Sequence, residues 1–253
     1  MDGYHKKPGI KKSSLIIGRQ PIIEAIQSGR PIDKILFQRN VSGDAIGTIR
    51  QLAQEHHIPI QQVPPEKLHG LTRANHQGCI AIAGLVQYLD LQQVIDHVVG
   101  SGEVPLFIML DGVTDVRNIG AIARTALCCG AQALLIPDKG VGALNEEAVK
   151  SSAGALERIQ VCRVNSLMKA VDTLHLNGIK VYASEMTATR QVFELPYTEP
   201  CCVIMGSEDK GVFPGLLKIC DDVFRIPMAG DFESLNVSVA AGIILFEAMK
   251  QRL

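Results

Sequence analysis

Residues 106–127 read LFIMLDGVTDVRNIGAIARTAL, and this stretch joins two patterns that together indicate an α/β fold. Its first five residues form a continuous apolar run, which is typical of a strand that is covered on both faces. The apolar residues that follow repeat at the spacing of one helix face: Ile119, Ile122, Ala123, Ala126 and Leu127. Asn118 is expected to cap the start of this helix and Gly130 to end it.

Apolar runs and helical patterns continue to alternate towards the C-terminus. Further strands are predicted at residues 131–136, 160–164, 179–183, 201–205 and 223–227. Further helices are predicted at residues 145–153, 166–177 and 237–252. This alternation predicts an α/β domain with a mostly parallel sheet over residues 105–253.

A smaller α/β pattern occupies residues 14–86. Helices are predicted at 21–28, 47–56 and 65–71, and strands at 32–38, 58–63 and 79–86. Residues 87–104 are polar and weakly periodic and contain Gly-Ser-Gly, so we interpret them as a partly helical linker. The predicted order is a basic tail (1–13), a small domain (14–86), the linker (87–104) and a larger domain (105–253).

The charge of the whole chain gives no sign of a nucleic-acid partner, because 25 basic and 26 acidic residues leave a formal net charge of -1. Residues 1–40 differ, since eight basic and three acidic side chains give this stretch +5. A basic start could meet RNA phosphates, and a solvated terminus explains it equally well.

The seven cysteines predict neither disulfides nor a metal site. Their number is odd, two pairs are adjacent in sequence, and no C-x-x-C occurs. No stretch resembles a signal peptide or a membrane span. We therefore expect a cytoplasmic protein that holds no metal and does not enter a membrane.

Two common phosphate-binding patterns are incomplete. Gly206 and Gly211 have the spacing of a P-loop, but Val212 and Phe213 stand where Lys and Ser or Thr are needed. The Gly140-Val-Gly142 segment lacks the third glycine of a dinucleotide fingerprint. Neither a P-loop nucleotidase nor a nicotinamide-dependent oxidoreductase is indicated.

Three polar segments each follow a predicted strand, and ligands of α/β sheets bind at such strand ends. The first contains Asn118 and Arg124, the second is Gly206-Ser-Glu208, and the third runs from Ile226 to Asn236. Each segment also has an ordinary interpretation as a capping residue, a surface arginine or a glycine turn. Ser234 lacks the surroundings of a nucleophilic serine.

Taken together, the three segments resemble the motifs of the SpoU (TrmH-type) family of RNA ribose 2′-O-methyltransferases, within the SPOUT superfamily. The matching patterns, in family order, are Asn118-x-Gly120-x-x-x-Arg124, Gly206-Ser-Glu208 with Gly211, and Ile226-Pro-Met followed by Ser234-Leu-Asn236-Val-Ser238. The resemblance covers residues 105–253. Asp209 departs from the pattern, because members commonly carry glycine there.

The N-terminal region is similar to a small RNA-binding domain that a subset of this family shares with a large-subunit ribosomal protein. The similarity lies in Gly18-Arg-Gln-Pro21, Ile58-Pro-Ile60 and Asn75-His-Gln-Gly78. It implies a guanosine ribose of 23S ribosomal RNA as the substrate. A transfer-RNA ribose methyltransferase and a non-catalytic RNA-binding protein of ribosome assembly are the alternatives.

The resemblance also implies a SPOUT-type parallel sheet with a C-terminal trefoil knot, a homodimer with active sites at its interface, and S-adenosyl-L-methionine as cofactor. The implied cofactor-binding residues are Gly206, Ile226 and Leu235. The implied catalytic residues are Asn118, Arg124, Glu208, Ser234 and Asn236. We expect Arg124 to grip an RNA phosphate, because guanidinium does not act as a base, and Glu208 to orient Arg124 or accept a proton through water.

The C-terminal helix carries an apolar stripe that could face a second subunit or the core of its own chain. Its members are Val237, Ala240, Ala241, Ile244, Leu245 and Ala248.

Overall fold

The computed structural model describes residues 14–56, 58–138, 144–230 and 234–253. These residues form two compact units that divide between Leu85 and Val86. The basic tail expected over 1–13 and the Gly140–Gly142 segment lie outside the described residues.

The first unit is a four-stranded sheet with helices on both faces. Its elements are β1 (Leu15–Ile17), α1 (Arg19–Gln27), β2 (Ile32–Gln38), α2 (Asp44–Glu55), β3 (Ile60–Val63), α3 (Pro65–Leu71) and β4 (Cys79–Ala83). The strand order is β1-β4-β2-β3, and only the β2–β3 pair is parallel. Helices α1 and α2 pack on Ile35 and Phe37, whereas Leu68 of α3 packs on Leu36 from the other face.

The second unit is built on an eight-stranded sheet in which every strand pair is parallel. Its first elements are β5 (Tyr88–Leu89), α4 (Leu91–Gly100), β6 (Leu106–Leu110), α5 (Val116–Cys128), β7 (Ala133–Pro137), α6 (Glu146–Ser151), β8 (Gln160–Val164) and α7 (Leu167–Leu176). The remaining elements are β9 (Lys180–Ser184), β10 (Arg190–Gln191), β11 (Cys201–Met205), α8 (Pro214–Leu217), β12 (Asp222–Arg225) and α9 (Val237–Arg252). The strand order is β10-β12-β9-β11-β6-β7-β8-β5, which confirms the parallel α/β sheet.

Two apolar cores cover the two faces of this sheet. Helices α5, α6 and α9 pack on one face, and α4, α7 and α8 pack on the other. Alternate residues of a strand point to opposite faces, so β6 sends Ile108 into the first core and Phe107 into the second. All five residues of β6 are fully buried, which explains the continuous apolar run.

The interpretation of residues 87–104 as a linker is wrong, because this segment is part of the second unit. Strand β5 pairs with β8, and helix α4 buries Leu91, Val94, Ile95 and Val98 in the second core. These four residues have the spacing of one helix face. The polar residues between them, two glutamines and Asp96, made the segment look like a linker. Asp90 caps the helix through the backbone N–H of Gln93.

The expected cap of α5 is also wrong, because the helix begins two residues before Asn118. Asp115 is the N-cap, and its Oδ1 accepts a hydrogen bond from the backbone N–H of Arg117 at 2.9 Å. Hydrogen bonds from the side chain and backbone of Arg117 lower the pKa of Asp115. The side chain of Asn118 is therefore free of capping and can contact other loops. Gly130 does end the helix, with a φ of 79°.

Helix α9 is anchored at both of its ends. Asn236 caps its start, and Arg252 near its end donates hydrogen bonds to the carbonyls of Val104 and Pro105, which precede β6, and of Tyr197 and Glu199, which precede β11. The predicted apolar stripe lies in the protein's own core, since Val237, Ala241, Ile244, Leu245 and Ala248 are buried. A second stripe remains exposed and consists of Val239, Ile243 and Phe246.

All seven cysteines lie in the described ranges and none forms a disulfide. Cys79 is buried in the first unit, and Cys162, Cys201 and Cys202 are buried in the second. Cys128 is exposed on α5. The cysteines thus act mostly as small apolar side chains.

Candidate active site

The three polar segments meet at one carboxylate oxygen beyond the carboxyl ends of β6, β11 and β12. Oε1 of Glu208 accepts hydrogen bonds from Nδ2 of Asn236 at 2.7 Å and from Nδ2 of Asn118 at 3.2 Å. It also lies 3.3 Å from the backbone nitrogen of Val237, at the start of α9. A single atom therefore holds all three loops together.

Asn236 is both a helix cap and a member of this network. Its Oδ1 accepts hydrogen bonds from the backbone N–H of Ser238 at 3.0 Å and from the Ser238 hydroxyl at 2.6 Å. Its Nδ2 also donates to Oδ1 of Asn118 at 3.2 Å. The capping interpretation is correct but incomplete, because capping fixes the amide that contacts Glu208.

The loop after β11 is a tight turn that requires glycine at both ends. Ser207 and Gly211 exchange backbone hydrogen bonds of 3.2 and 2.9 Å. A Cβ on Gly206 would lie 2.1 Å from the carbonyl carbon of Gly211, and Gly211 itself has a φ of 65°. Asp209 is not among the described residues with a positive φ, so this position does not need the glycine that the family pattern commonly has.

Asp111 holds the far side of this turn, a role that the sequence analysis missed. Its Oδ2 accepts a hydrogen bond of 2.6 Å from the backbone N–H of Phe213, and its own N–H donates to the carbonyl of Met205. The sequence does contain a pattern that could have indicated this role, because Asp111 is the first polar residue after the apolar run of β6.

A cavity of about 570 Å³ opens beside this network, at the ends of β9, β11 and β12 and the start of α9. Five of the expected site residues line it: Gly206, Glu208, Ile226, Ser234 and Leu235. The wall also contains residues that sequence reasoning missed: Glu185, Met186, Arg225 and Met228. Both signs of charge are present, since Lys210 and Arg225 share the wall with Glu185, Glu208 and Asp209.

Arg124 is the expected site residue that stays apart from the others. It lies on the exposed side of α5, outside the cavity wall, and it has no ionic partner in the ranges that the structure describes. Within one chain, the hydrogen bonds of Glu208 go to amides and not to Arg124, so the orientation of Arg124 by Glu208 stays a prediction. Arg117 is engaged differently, through Asp115 and Glu147.

The described residues hold no cluster of three or more histidine, cysteine or carboxylate side chains that could bind a metal ion. Likewise, none of the described helices is both long enough and apolar enough to span a bilayer.

Comparison with known proteins identifies both units. Residues 105–246 match the model of the SpoU rRNA Methylase family, and residues 15–89 match the model described as RNA 2′-O ribose methyltransferase substrate binding. A putative TrmH family tRNA/rRNA methyltransferase of Staphylococcus aureus is 34% identical over 241 residues, which cover 95% of this chain and 97% of the relative.

Solved structures agree with this result. The SpoU methyltransferase AviRb of Streptomyces viridochromogenes, in complex with AdoMet, has a TM-score of 0.60 and 27% identity, and the match covers 94% of this chain and 90% of AviRb. The TrmH/SpoU tRNA modifying enzyme of A. aeolicus has a TM-score of 0.54 and 28% identity, and the match covers 64% of this chain and 84% of that enzyme. S-adenosylmethionine is accordingly the cofactor, and the chain belongs to the SpoU/TrmH family of RNA methyltransferases.

Proposed function

We propose that this protein methylates the 2′-hydroxyl of a guanosine ribose in 23S ribosomal RNA. The observation that carries the proposal is the meeting of three polar loops at Oε1 of Glu208, beside a glycine turn and an open cavity. An RNA substrate is supported by the match of residues 15–89 to a substrate-binding model. The tRNA modifying enzyme of A. aeolicus matches only 64% of this chain, which favours ribosomal over transfer RNA.

The residues that line the cavity suit S-adenosylmethionine. Gly206 has no side chain, so the backbone of Gly211 can pack closely against the end of β11 and form this part of the wall. Gly206, Ile226 and Leu235 line the wall that would hold the adenosine. Carboxylates on the wall suit a cationic ligand, and Lys210 suits its carboxylate. When bound, S-adenosylmethionine supplies a methyl group on a sulfonium, which is a good leaving group.

Glu208 is proposed to accept the hydroxyl proton that methylation displaces. Its Oε1 is occupied by Asn118, Asn236 and the start of α9, whereas its Oε2 has no donor among the described residues. The two amides thus fix the orientation of the carboxylate and leave one oxygen available, directly or through a water. Ser234 lies on the same wall and can orient the ribose.

Arg124 is proposed to bind the phosphate next to the target ribose at a homodimer interface. A guanidinium remains protonated, so it can stabilise negative charge but cannot act as a base. Its place outside the cavity of its own chain favours a site completed by a second copy. The exposed stripe of Val239, Ile243 and Phe246 supports such an interface, because it is apolar and 39–57% exposed.

We also propose that the C-terminal segment forms the trefoil knot of the family and that the protein acts in the cytoplasm, where its proposed substrate is found. Support for the knot comes from the match of residues 105–246 to the model of the SpoU rRNA Methylase family.

Labelled S-adenosylmethionine, unmodified 23S ribosomal RNA and bulk transfer RNA test the proposal when the methylated riboses are mapped. We expect label at one ribose of 23S RNA, and Glu208→Ala should lower the rate about a hundredfold or more. Asp172→Ala is the control and should remain active, because this exposed carboxylate of α7 lies outside the cavity wall. Label in transfer RNA alone would refute the substrate, and failure to bind the cofactor would favour a non-catalytic RNA-binding protein.

Arg124→Lys tests the phosphate clamp separately. An ammonium keeps the charge but cannot make the two parallel hydrogen bonds of a guanidinium. We expect a marked loss of activity with unchanged cofactor binding. Near-normal activity of this variant would contradict the clamp.

A further inference from the structure

Glu185 occupies a distinctive position beside the glycine turn of the cofactor cavity. It is the first residue after β9, which pairs in parallel with β11, so the ends of both strands open into the same cavity. The backbone N–H of Glu185 donates to the carbonyl of Phe224 at 2.8 Å and fixes its place. A Cβ on Gly211 would lie 3.8 Å from Oε2 of Glu185, so the carboxylate lies against the turn.

The carboxylate of Glu185 is oriented but not neutralised. Its Oε1 accepts from the backbone N–H and the hydroxyl of Thr187, both at 3.3 Å. Within the described ranges no cation pairs with Glu185, and its Oε2 receives no hydrogen bond. A structural ion pair therefore does not explain this half-buried carboxylate.

The neighbours of Glu185 indicate which part of the cofactor it faces. Met186 follows it in the chain, and Met228 lines the same cavity; their side chains are 49% and 40% exposed. Two thioethers offer an apolar, polarisable surface that suits a planar base. A group beside them would meet the adenosine, whose hydrogen-bond donors are the 6-amino group of the base and the hydroxyls of the ribose.

We propose that Glu185 binds the 2′- and 3′-hydroxyls of the cofactor's ribose, an inference that rests on the proposed use of this cavity for S-adenosylmethionine. Carboxylates accept hydrogen bonds from vicinal hydroxyls. In dinucleotide-binding sheets, an acidic residue that follows the glycine turn along the chain holds a ribose hydroxyl in this way. Here the strand beside the turn ends in Glu185.

Calorimetric titration with S-adenosylhomocysteine and with its 2′-deoxy analogue tests the proposal. The wild-type protein should bind the hydroxylated ligand about tenfold more tightly, the value of one hydrogen bond to a charged acceptor. Glu185→Ala should bind S-adenosylhomocysteine about tenfold more weakly and no longer distinguish the two ligands. Asp209→Ala, which removes another carboxylate of the same wall, should keep the wild-type ratio.

The ratio of the two affinities separates ribose binding from a purely structural role. If Glu185 only maintained the turn with Thr187, Glu185→Ala would weaken both ligands equally and keep the wild-type ratio, which would overturn the proposal. Absence of any preference in the wild-type protein would overturn it as well. If the wild-type protein binds neither ligand, the use of the cavity for the cofactor is what fails.

Discussion

Arg252 should be a major contributor to the stability of the second unit, and Arg252→Met tests this. The guanidinium donates to the carbonyls of Val104 at 2.6 Å, Tyr197 at 2.7 Å, Pro105 at 2.9 Å and Glu199 at 3.1 Å. It thereby links the end of α9 to the segments that lead into two central strands. Methionine keeps most of the apolar stem and removes all four hydrogen bonds.

The expected loss is about 3 kcal/mol. Hydrogen bonds that involve a charged group contribute roughly 1.5–3 kcal/mol each. The contributions of the four hydrogen bonds do not add, because the carbonyls are partly accessible and water can replace some of the donors. For a domain of this size, about 3 kcal/mol corresponds to a fall in melting temperature of roughly 6–12 °C.

Urea and thermal unfolding of the full chain provide the assay, with Lys250→Met as the matched control. Lys250 lies on the same last turn and is largely exposed, and among the described residues its amine pairs with Glu247 alone, at 3.2 Å. An exposed pair of this kind contributes about 1 kcal/mol or less. Arg252→Lys should fall between the two variants, since it keeps the charge without the planar fork. Equal stability of Arg252→Met and Lys250→Met would show that these hydrogen bonds contribute little to the stability of the second unit.

Three further changes test the turn, the cap and a buried histidine. Gly206→Ala should abolish calorimetric binding of S-adenosylhomocysteine and leave the circular dichroism spectrum unchanged, because the added Cβ would lie 2.1 Å from backbone of the turn; retained affinity would show that the turn can open. Asp115→Ala should lower the free energy of unfolding in urea by about 1 kcal/mol, the usual contribution of an N-cap, and Asp115→Asn should restore most of it. Burial lowers the pKa of His76, whose Nδ1 accepts from the N–H of Gly78 at 3.1 Å, so the folded state favours the neutral ring. The free energy of unfolding should therefore fall as the pH drops below about 6.5, where an unfolded histidine takes up its proton, and His76→Asn should show a shallower dependence; parallel curves for the two proteins would exclude this origin.

Where burial is uniform, sequence patterns predict the fold well. The bounds of β6, β11 and α9 agree with expectation, because the apolar residues are continuous in the two strands and lie on one face of the helix. Strands β5 and β10 could not be predicted, since each has two residues and exists only because a neighbouring strand offers an edge. Their pairing is a property of the assembled sheet.

The sequence predicts the site residues that belong to motifs, but not those whose role depends on which strands are neighbours. Motif order predicts that Asn118, Glu208 and Asn236 belong together, and the structure brings them to one oxygen atom. Glu185 escaped notice because its importance depends on β9 lying next to β11, which is not visible along the chain. The isolation of Arg124 likewise appears only in three dimensions.

The alkylation rates of the buried cysteines can report how often the structure around each of them opens. Burial raises the pKa of Cys79 and Cys201 to about 11 and that of Cys162 to about 12, so these thiols react slowly with alkylating reagents until the surrounding structure opens. Cys79 reports on the first unit and the other two on the second. The exposed Cys128 would be modified at once and set the reference rate. Mass spectrometry of alkylated peptides can thus time the opening of each unit separately, in the native chain and without an engineered label.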